Sequence, residues 1–145
     1  MPFQQSEEFL RKKVQDLMIP AERVAHVQIG NSLEHALLVL TKSGYTAIPV
    51  LDPHFRLHGL ISTPIIMDSI LGLERIEFEQ LEEKKVEQAM NQAIPRIPLS
   101  STLAEALGHL VDHPFLCVVD EKGLFEGILT RRAVLIQLET KQRAN

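Results

Sequence analysis

The 145-residue chain has no tryptophan, and aromatic residues make up only 5% of it, so its core has to be aliphatic. It has one cysteine, Cys117, which rules out an internal disulfide and a cysteine-built zinc site. Cys117 lies inside an apolar run, the setting of a small buried hydrophobe and not of a reactive thiol. No apolar stretch approaches the roughly 18 residues needed to span a bilayer. Met1 to Leu10 carries neither the basic nor the apolar region of a secretory signal, so the cytoplasm is the expected compartment. A basic excess is missing too: 15 Lys and Arg against 19 Asp and Glu leave a net charge of −4. A nucleic-acid-binding domain needs a basic face, so no nucleic-acid partner is expected.

Catalytic signatures are absent as well. None of the 6 histidines forms HExxH or another close metal spacing. His54 and His58 stand four residues apart, but around a predicted hairpin turn, which does not place them on one helical face, so no metal site is expected. There is no GxSxG elbow and no GxxxxGK[ST] or GxGxxG phosphate loop. The carboxylates fall mostly on helix faces and turns. Without a nucleophile–base or metal constellation, no enzyme is expected.

What is present is a composition of 45% hydrophobic and 23% charged residues, ordinary for one globular domain or two very small ones. An internal repeat organises it. Val14-Gln15-Asp16-Leu17-Met18 sits 72 residues before Val86-Glu87-Gln88-Ala89-Met90. Leu33, Ala36, Leu37 and Leu40 precede Leu103, Ala106, Leu107 and Leu110 by 70, and Asp52 and Gly59 precede Asp120 and Gly127 by 68. The order of elements is constant and the loops shorten in the second copy.

Each copy reads alike. The i, i+3, i+4, i+7 stripe at Leu33 or Leu103 predicts a helix. Asn31 is its expected N-cap in the first copy, and Thr102 with Glu105 forms a capping box in the second. Ala47–Leu51 and Phe115–Val119 read as buried strands ending at an Asp. A turn and a second strand follow, Leu57–Ile61 or Phe125–Leu129, making a hairpin. Pro49 has to lie at an edge or bulge, because it donates no hydrogen bond. Ser62 or Thr130 then opens the last helix, with Pro64 in the first turn of one. Between the copies, 71–85 reads as a charged connector helix whose Glu82-Glu83-Lys84-Lys85 run is a solvated face.

Arg131 and Arg132 directly follow Thr130 at a predicted helix start. A hydroxyl, free helix N–H groups and planar guanidinium forks together suit a phosphate. Two cations at a helix N-terminus oppose the helix dipole, a small strain that a bound anion relieves. On the residues alone, two solvated arginines are an equal reading.

The half-repeat resembles a CBS motif, and the chain resembles a CBS pair, or Bateman module, over about residues 14–138. The matching pieces are Val14–Pro20, the helix after Asn31, Gly44–Asp52 and Gly59–Ser62, with Val86–Met90, Cys117–Asp120 and Gly127–Thr130 in the second copy. The resemblance implies an α/β (α+β) fold of two β-α-β-β-α units, packed through their sheets about a pseudo-twofold axis. It also implies clefts for adenine nucleotides and a homodimer. The expected organisation is an N-terminal helical segment at 1–13, CBS motif 1 at 14–70, the connector at 71–85, CBS motif 2 at 86–138 and a C-terminal tail at 139–145.

Further stretches resemble the small stand-alone bacterial CBS-pair receptors for cyclic di-AMP: Ala25-His26-Val27, Leu33–Lys42, Gly72–Glu79 and Phe125–Arg132. This implies a non-enzymatic second-messenger sensor that switches a partner enzyme. The implied partner is the (p)ppGpp synthetase/hydrolase of the stringent response, with a biotin-dependent carboxylase as a further one. Where the CBS nucleotide motif often places a ribose-binding Asp three residues after the strand-end hydroxyl, this chain has Ile65 and Ala133. That departure weakens AMP or ATP recognition and favours a phosphodiester ligand. The expected cleft has Arg23, Val24, Ala25 and Val27 as its floor. Tyr45, Thr46, Ala47 and Ile48 form a wall, Ser62 and Ile66 the sugar side, and Thr130, Arg131 and Arg132 the phosphate contacts. An AMP/ATP energy sensor and a ligand-independent dimerisation or scaffold module remain alternative readings of the same fold.

Overall fold

The computed structural model describes residues 3–143, without the side chains of 3–6, 141 and 142. The outermost positions of the expected N-terminal segment and C-terminal tail (1, 2, 144 and 145) lie outside the described residues. Seven α-helices and seven strands alternate in a mixed α/β arrangement with two sheets among the described residues. The helices are α1 (Phe3–Arg11), α2 (Leu33–Ser43), α3 (Thr63–Ile70), α4 (Gln80–Glu83), α5 (Val86–Ala89), α6 (Leu103–Asp112) and α7 (Arg131–Arg143). The strands are β1 (Ile19–Pro20), β2 (Val27–Gln28), β3 (Ala47–Leu51), β4 (Leu57–Ser62), β5 (Arg96–Pro98), β6 (Phe115–Val119) and β7 (Phe125–Thr130).

The chain forms two compact units, residues 25–94 and residues 1–24 with 95–145. The first holds the sheet β2-β3-β4, and the second the sheet β1-β7-β6-β5. Each contains one β-α-β-β-α copy: β2 lies parallel to β3 and β5 parallel to β6, while β3–β4 and β6–β7 are antiparallel hairpins. The parallel neighbours are joined by α2 and α6, whose buried stripes are Leu33, Ala36, Leu40 and Leu103, Ala106, Leu110. Both hairpins shift register at the same place, between Val50 and Leu51 and between Val118 and Val119. Pro49 sits in the central strand, yet β2 pairs only with Val50 and Leu51, so Pro49 has a ladder on its β4 side alone.

The units are not the two contiguous repeats. The leading segment of each copy pairs with the sheet of the other. Ile19 and Pro20 lie antiparallel to Ile128 and Gly127. Reciprocally, Asn91 exchanges two backbone hydrogen bonds with Leu60, at 2.8 and 3.0 Å. This exchange explains the paired glycines at the 68-residue offset. A Cβ on Gly59 would stand 2.7 Å from the Asn91 carbonyl oxygen and 3.1 Å from Met90 Sδ. A Cβ on Gly127 would collide with the Ile19 carbonyl oxygen and crowd Met18 Sδ at 3.2 Å.

Three local expectations are corrected. The N-cap of α2 is Ser32, whose hydroxyl accepts from His35 N–H, while Asn31 Oδ1 accepts from Gln28 N–H in the preceding turn. The connector is not one helix. Leu71 and Ile76 form a bridge around a turn closed by Gly72 N–H to the Arg75 carbonyl, and helix returns only at Gln80–Glu83. A Cβ on Gly72 would meet the Arg75 carbonyl oxygen at 2.9 Å, so the turn fixes a glycine where the charge pattern predicts a helix. Within the run read as a solvated face, Lys84 folds inward and donates to the Ser69 carbonyl at 2.6 Å. At the far end, α7 continues through the expected tail to Arg143.

Candidate functional site

The expected site residues fall into two sets, one in each compact unit. In residues 25–94 they gather at one end of the three-stranded sheet. Ala47 lies directly across the ladder from Ser62, and Tyr45 and Thr46 lead into β3. The parallel register, Val27 beside Val50, brings Ala25 to the level of Ile48. Side-chain exposure divides this set. Val27, Ile48 and Ile66 are 0–2% exposed and belong to the aliphatic core. Ala25, Tyr45, Ala47 and Ser62 are half-buried and Thr46 is exposed, so these five present side chains at the edge.

Ser62 caps α3 by accepting from Ile65 N–H at 3.3 Å. Its hydroxyl proton remains a donor for an acceptor beyond the helix end. Thr130 does the same for α7, accepting from Ala133 N–H at 3.0 Å. The copies therefore share a strand-end hydroxyl with no acid on the third residue.

The second set lies in the other unit. Val24 is buried at 6% exposure, and Arg23 is exposed on the 3₁₀ turn Ala21–Arg23, which packs on β7. The β1–β7 register carries that turn toward the Phe125 end of β7, whereas Thr130, Arg131 and Arg132 leave from its other end. Arg131 is exposed overall, but its guanidinium is already engaged. Nε donates to the Leu110 carbonyl at 2.8 Å and a terminal nitrogen to the Val111 carbonyl at 3.3 Å. Those carbonyls end α6, where a cation is favoured by the helix dipole. The strain expected of a cation at the start of α7 is thus relieved within the protein. Arg132 and Arg23 make no hydrogen bond or ion pair to a described residue.

The copies differ at the same sheet end. Where the first has Ala47 beside Ser62, the second has Phe115 beside Thr130. By the same registers Ala25 corresponds to Pro95. At these positions the first copy carries small side chains and the second carries a proline and a phenyl ring. This contrast is legible in the sequence once the two hairpins are set side by side.

Of the remaining candidates, Cys117 in β6 is 1% exposed, and burial pushes its thiol up to about 12. His58 Nε2 lies 2.9 Å from Asp52 Oδ2. This contact, with N–H bonds from Arg56 and His54, holds the Asp52 carboxyl down at about 2. Asp52 is therefore a turn brace. Among the described residues no group of three or more His, Cys, Asp or Glu could hold a metal ion, and no helix is long and apolar enough to cross a membrane.

Comparison with known proteins defines the class. The CBS domain model matches residues 14–72 and 86–139, and the chain belongs to the CBS domain family as a CBS pair. Cyclic di-AMP receptor B of Bacillus subtilis (strain 168) is 54% identical over 140 residues, spanning 97% of this chain and 95% of that protein. The crystal structure of Listeria monocytogenes CbpB in complex with c-di-AMP is 56% identical with a TM-score of 0.85, covering 91% of this chain and 98% of that one. The structure of CBSX2 in complex with AMP is 26% identical with a TM-score of 0.75, covering 90% and 98%.

Proposed function

We propose that this chain is a non-enzymatic receptor for cyclic di-AMP that regulates a separate enzyme. The observation that carries the reading is near full-length similarity to a cyclic di-AMP receptor and to CbpB bound to c-di-AMP. The site chemistry supports it. The edge formed by Ala25, Tyr45, Thr46, Ala47 and Ser62 offers small side chains and hydroxyl donors to an adenosine, with Val27, Ile48 and Ile66 behind it as packing; Val24 is a buried residue of the other unit. Thr130 and Arg132 offer a donor and a cation with no partner among the described residues to a phosphodiester, and Arg23, toward the other end of β7, is a separate cation of the same kind. Arg131 serves mainly by holding the start of α7 against the end of α6. Lack of an acid at Ile65 and Ala133 removes a charge that would repel phosphate.

The output is a change in partner affinity. A partner that prefers the free receptor is released as the ligand binds, because coupling between two sites is reciprocal. The proposed partner is the (p)ppGpp synthetase/hydrolase, with a biotin-dependent carboxylase as a further target. The receptor is proposed to work in the cytoplasm as a homodimer; light scattering at the 16.4 kDa of one chain would exclude the dimer.

An AMP-responsive regulator is the second reading, favoured by the likeness to CBSX2 with AMP. Calorimetric titration with cyclic di-AMP, AMP and ATP separates the two. The receptor reading expects cyclic di-AMP to bind most tightly and Ala25→Trp to abolish its heat while the protein stays folded. Undiminished affinity in that variant would remove Ala25 from the site.

A further inference from the structure

Phe55 is the one non-glycine residue with positive φ among the described residues, at +67°. A bulky side chain in the left-handed region is a genuine outlier, and such strain persists only where the surroundings impose it. The turn that holds Phe55 is built twice. Asp52 Oδ1 accepts from His54 and Arg56 N–H at 2.8 and 3.0 Å, and Asp120 Oδ1 accepts from Lys122 and Leu124 N–H at 2.8 and 2.9 Å. Phe55 N–H closes onto the Asp52 carbonyl just as Gly123 N–H closes onto that of Asp120. At the equivalent place the second copy has Gly123, at +82°, with open space where a Cβ would stand.

The turn itself therefore asks for a glycine, and the first copy puts a phenyl ring there at a conformational cost. What the ring does is visible. It meets His26 edge-on, with centroids 5.4 Å apart and planes at 80°. His26 lies between Ala25 and Val27, on the segment entering β2. By register its counterpart in the second copy is Arg96. The pair Phe55–His26 is thus replaced as a unit by Gly123 and Arg96, and it occurs only in the copy whose sheet end carries the small residues Ala25 and Ala47.

We infer that Phe55 is a positioning residue: through His26 it fixes the backbone of Ala25–Val27 as one side of the ligand edge. The inference rests on the ligand reading above, and its test separates the two. Amide hydrogen exchange of the free full-length protein is measured for wild type, Phe55→Gly, His26→Ala, the double variant and Phe55→Tyr. Phe55→Gly is compatible with the turn, as Gly123 demonstrates. Exchange at Ala25, His26 and Val27 is expected to accelerate about threefold to tenfold in Phe55→Gly, the scale of one aromatic pair. His26→Ala matches it, the double variant adds nothing, and Phe55→Tyr behaves as wild type. Cyclic di-AMP affinity is expected to fall in parallel. Unchanged exchange at these amides in Phe55→Gly overturns the inference, and so does faster exchange with unchanged affinity. If wild type binds no cyclic di-AMP, the receptor reading fails, while the exchange data still decide whether Phe55 fixes the segment.

Discussion

The first copy has small residues at its sheet end where the second has bulk, and the second has cations where the first has none. Ala25 and Ala47 stand where the second copy has Pro95 and Phe115. Conversely Arg131 and Arg132 open α7, where Thr63 and Pro64 open α3. The scaffold is otherwise repeated down to the register shift in each hairpin and the Asp-braced turn. The repeat keeps the framework and varies these positions: one copy carries the small residues and the other the cations. A protein with an aliphatic core and a net charge of −4 needs only such a local exception to take an anionic ligand.

The largest effects should come from breaking the exchanged segments that both copies share. Gly127→Val forces a side chain into the Ile19 carbonyl and should destabilise by about 3 kcal/mol or more, within the range of severe steric substitutions. Gly59→Val meets a closest contact at 2.7 Å and one flexible methionine, so it should cost less, about 2 kcal/mol. Urea denaturation of the two variants checks the order; equal stability to wild type would deny that the leading segments pack as described.

Next come the small residues of the first copy. Ala47→Phe gives it the ring of the second copy at the same register position. It should weaken cyclic di-AMP binding at least about tenfold, roughly 1.4 kcal/mol, with the melting temperature little changed. Binding unaffected by that ring would mean that the base lies elsewhere.

The arginines should separate by kind of effect. Arg132→Ala should lower ligand affinity about tenfold and flatten its salt dependence, as loss of one charge-assisted contact does. Arg131→Ala should mainly lower stability, by about 1–2 kcal/mol, because it uncaps the end of α6. The reverse pattern would assign the phosphate to Arg131.

The smallest effect concerns the turn brace. The Asp52 carboxyl is held at about 2, below its ordinary 3.8, first by the His58 hydrogen bond and then by backbone N–H groups. Its contribution is present above pH 4 or so and is lost as pH falls toward 2. Asp52→Asn should therefore be less stable than wild type at pH 6, with the gap closing near pH 2. A gap that persists there would point to shape and not charge.

Much of this was legible in the sequence because it is local or repeated. The helical stripes, the Asp-terminated strands, the hairpins and the strand-end hydroxyls all follow from periodicity and turn chemistry. The exchange of leading segments was not, since β1 is two residues long and its partner, Gly127, is more than 100 positions away. The paired glycines marked the contact without saying what touched them. Arg131 has a similar long-range side: its sequence neighbours describe a helix start, while its Nε and one terminal nitrogen donate to the end of a different helix. In the connector, charge pattern suggested a helix, but Gly72 and the Leu71–Ile76 bridge turn the chain back first. Which of the expected site residues are core and which are accessible also needed the fold, since all four of Ala25, Val27, Ala47 and Ile48 are apolar and only the packing shows that Val27 and Ile48 are buried.

The most direct test of the receptor reading is competitive calorimetry on the wild-type protein, titrating cyclic di-AMP into protein preloaded with AMP or ATP. The prediction is that cyclic di-AMP displaces either mononucleotide and binds at least about tenfold more tightly, a difference of roughly 1.4 kcal/mol. Equal or tighter binding of AMP or ATP, or no heat with cyclic di-AMP at all, would contradict it.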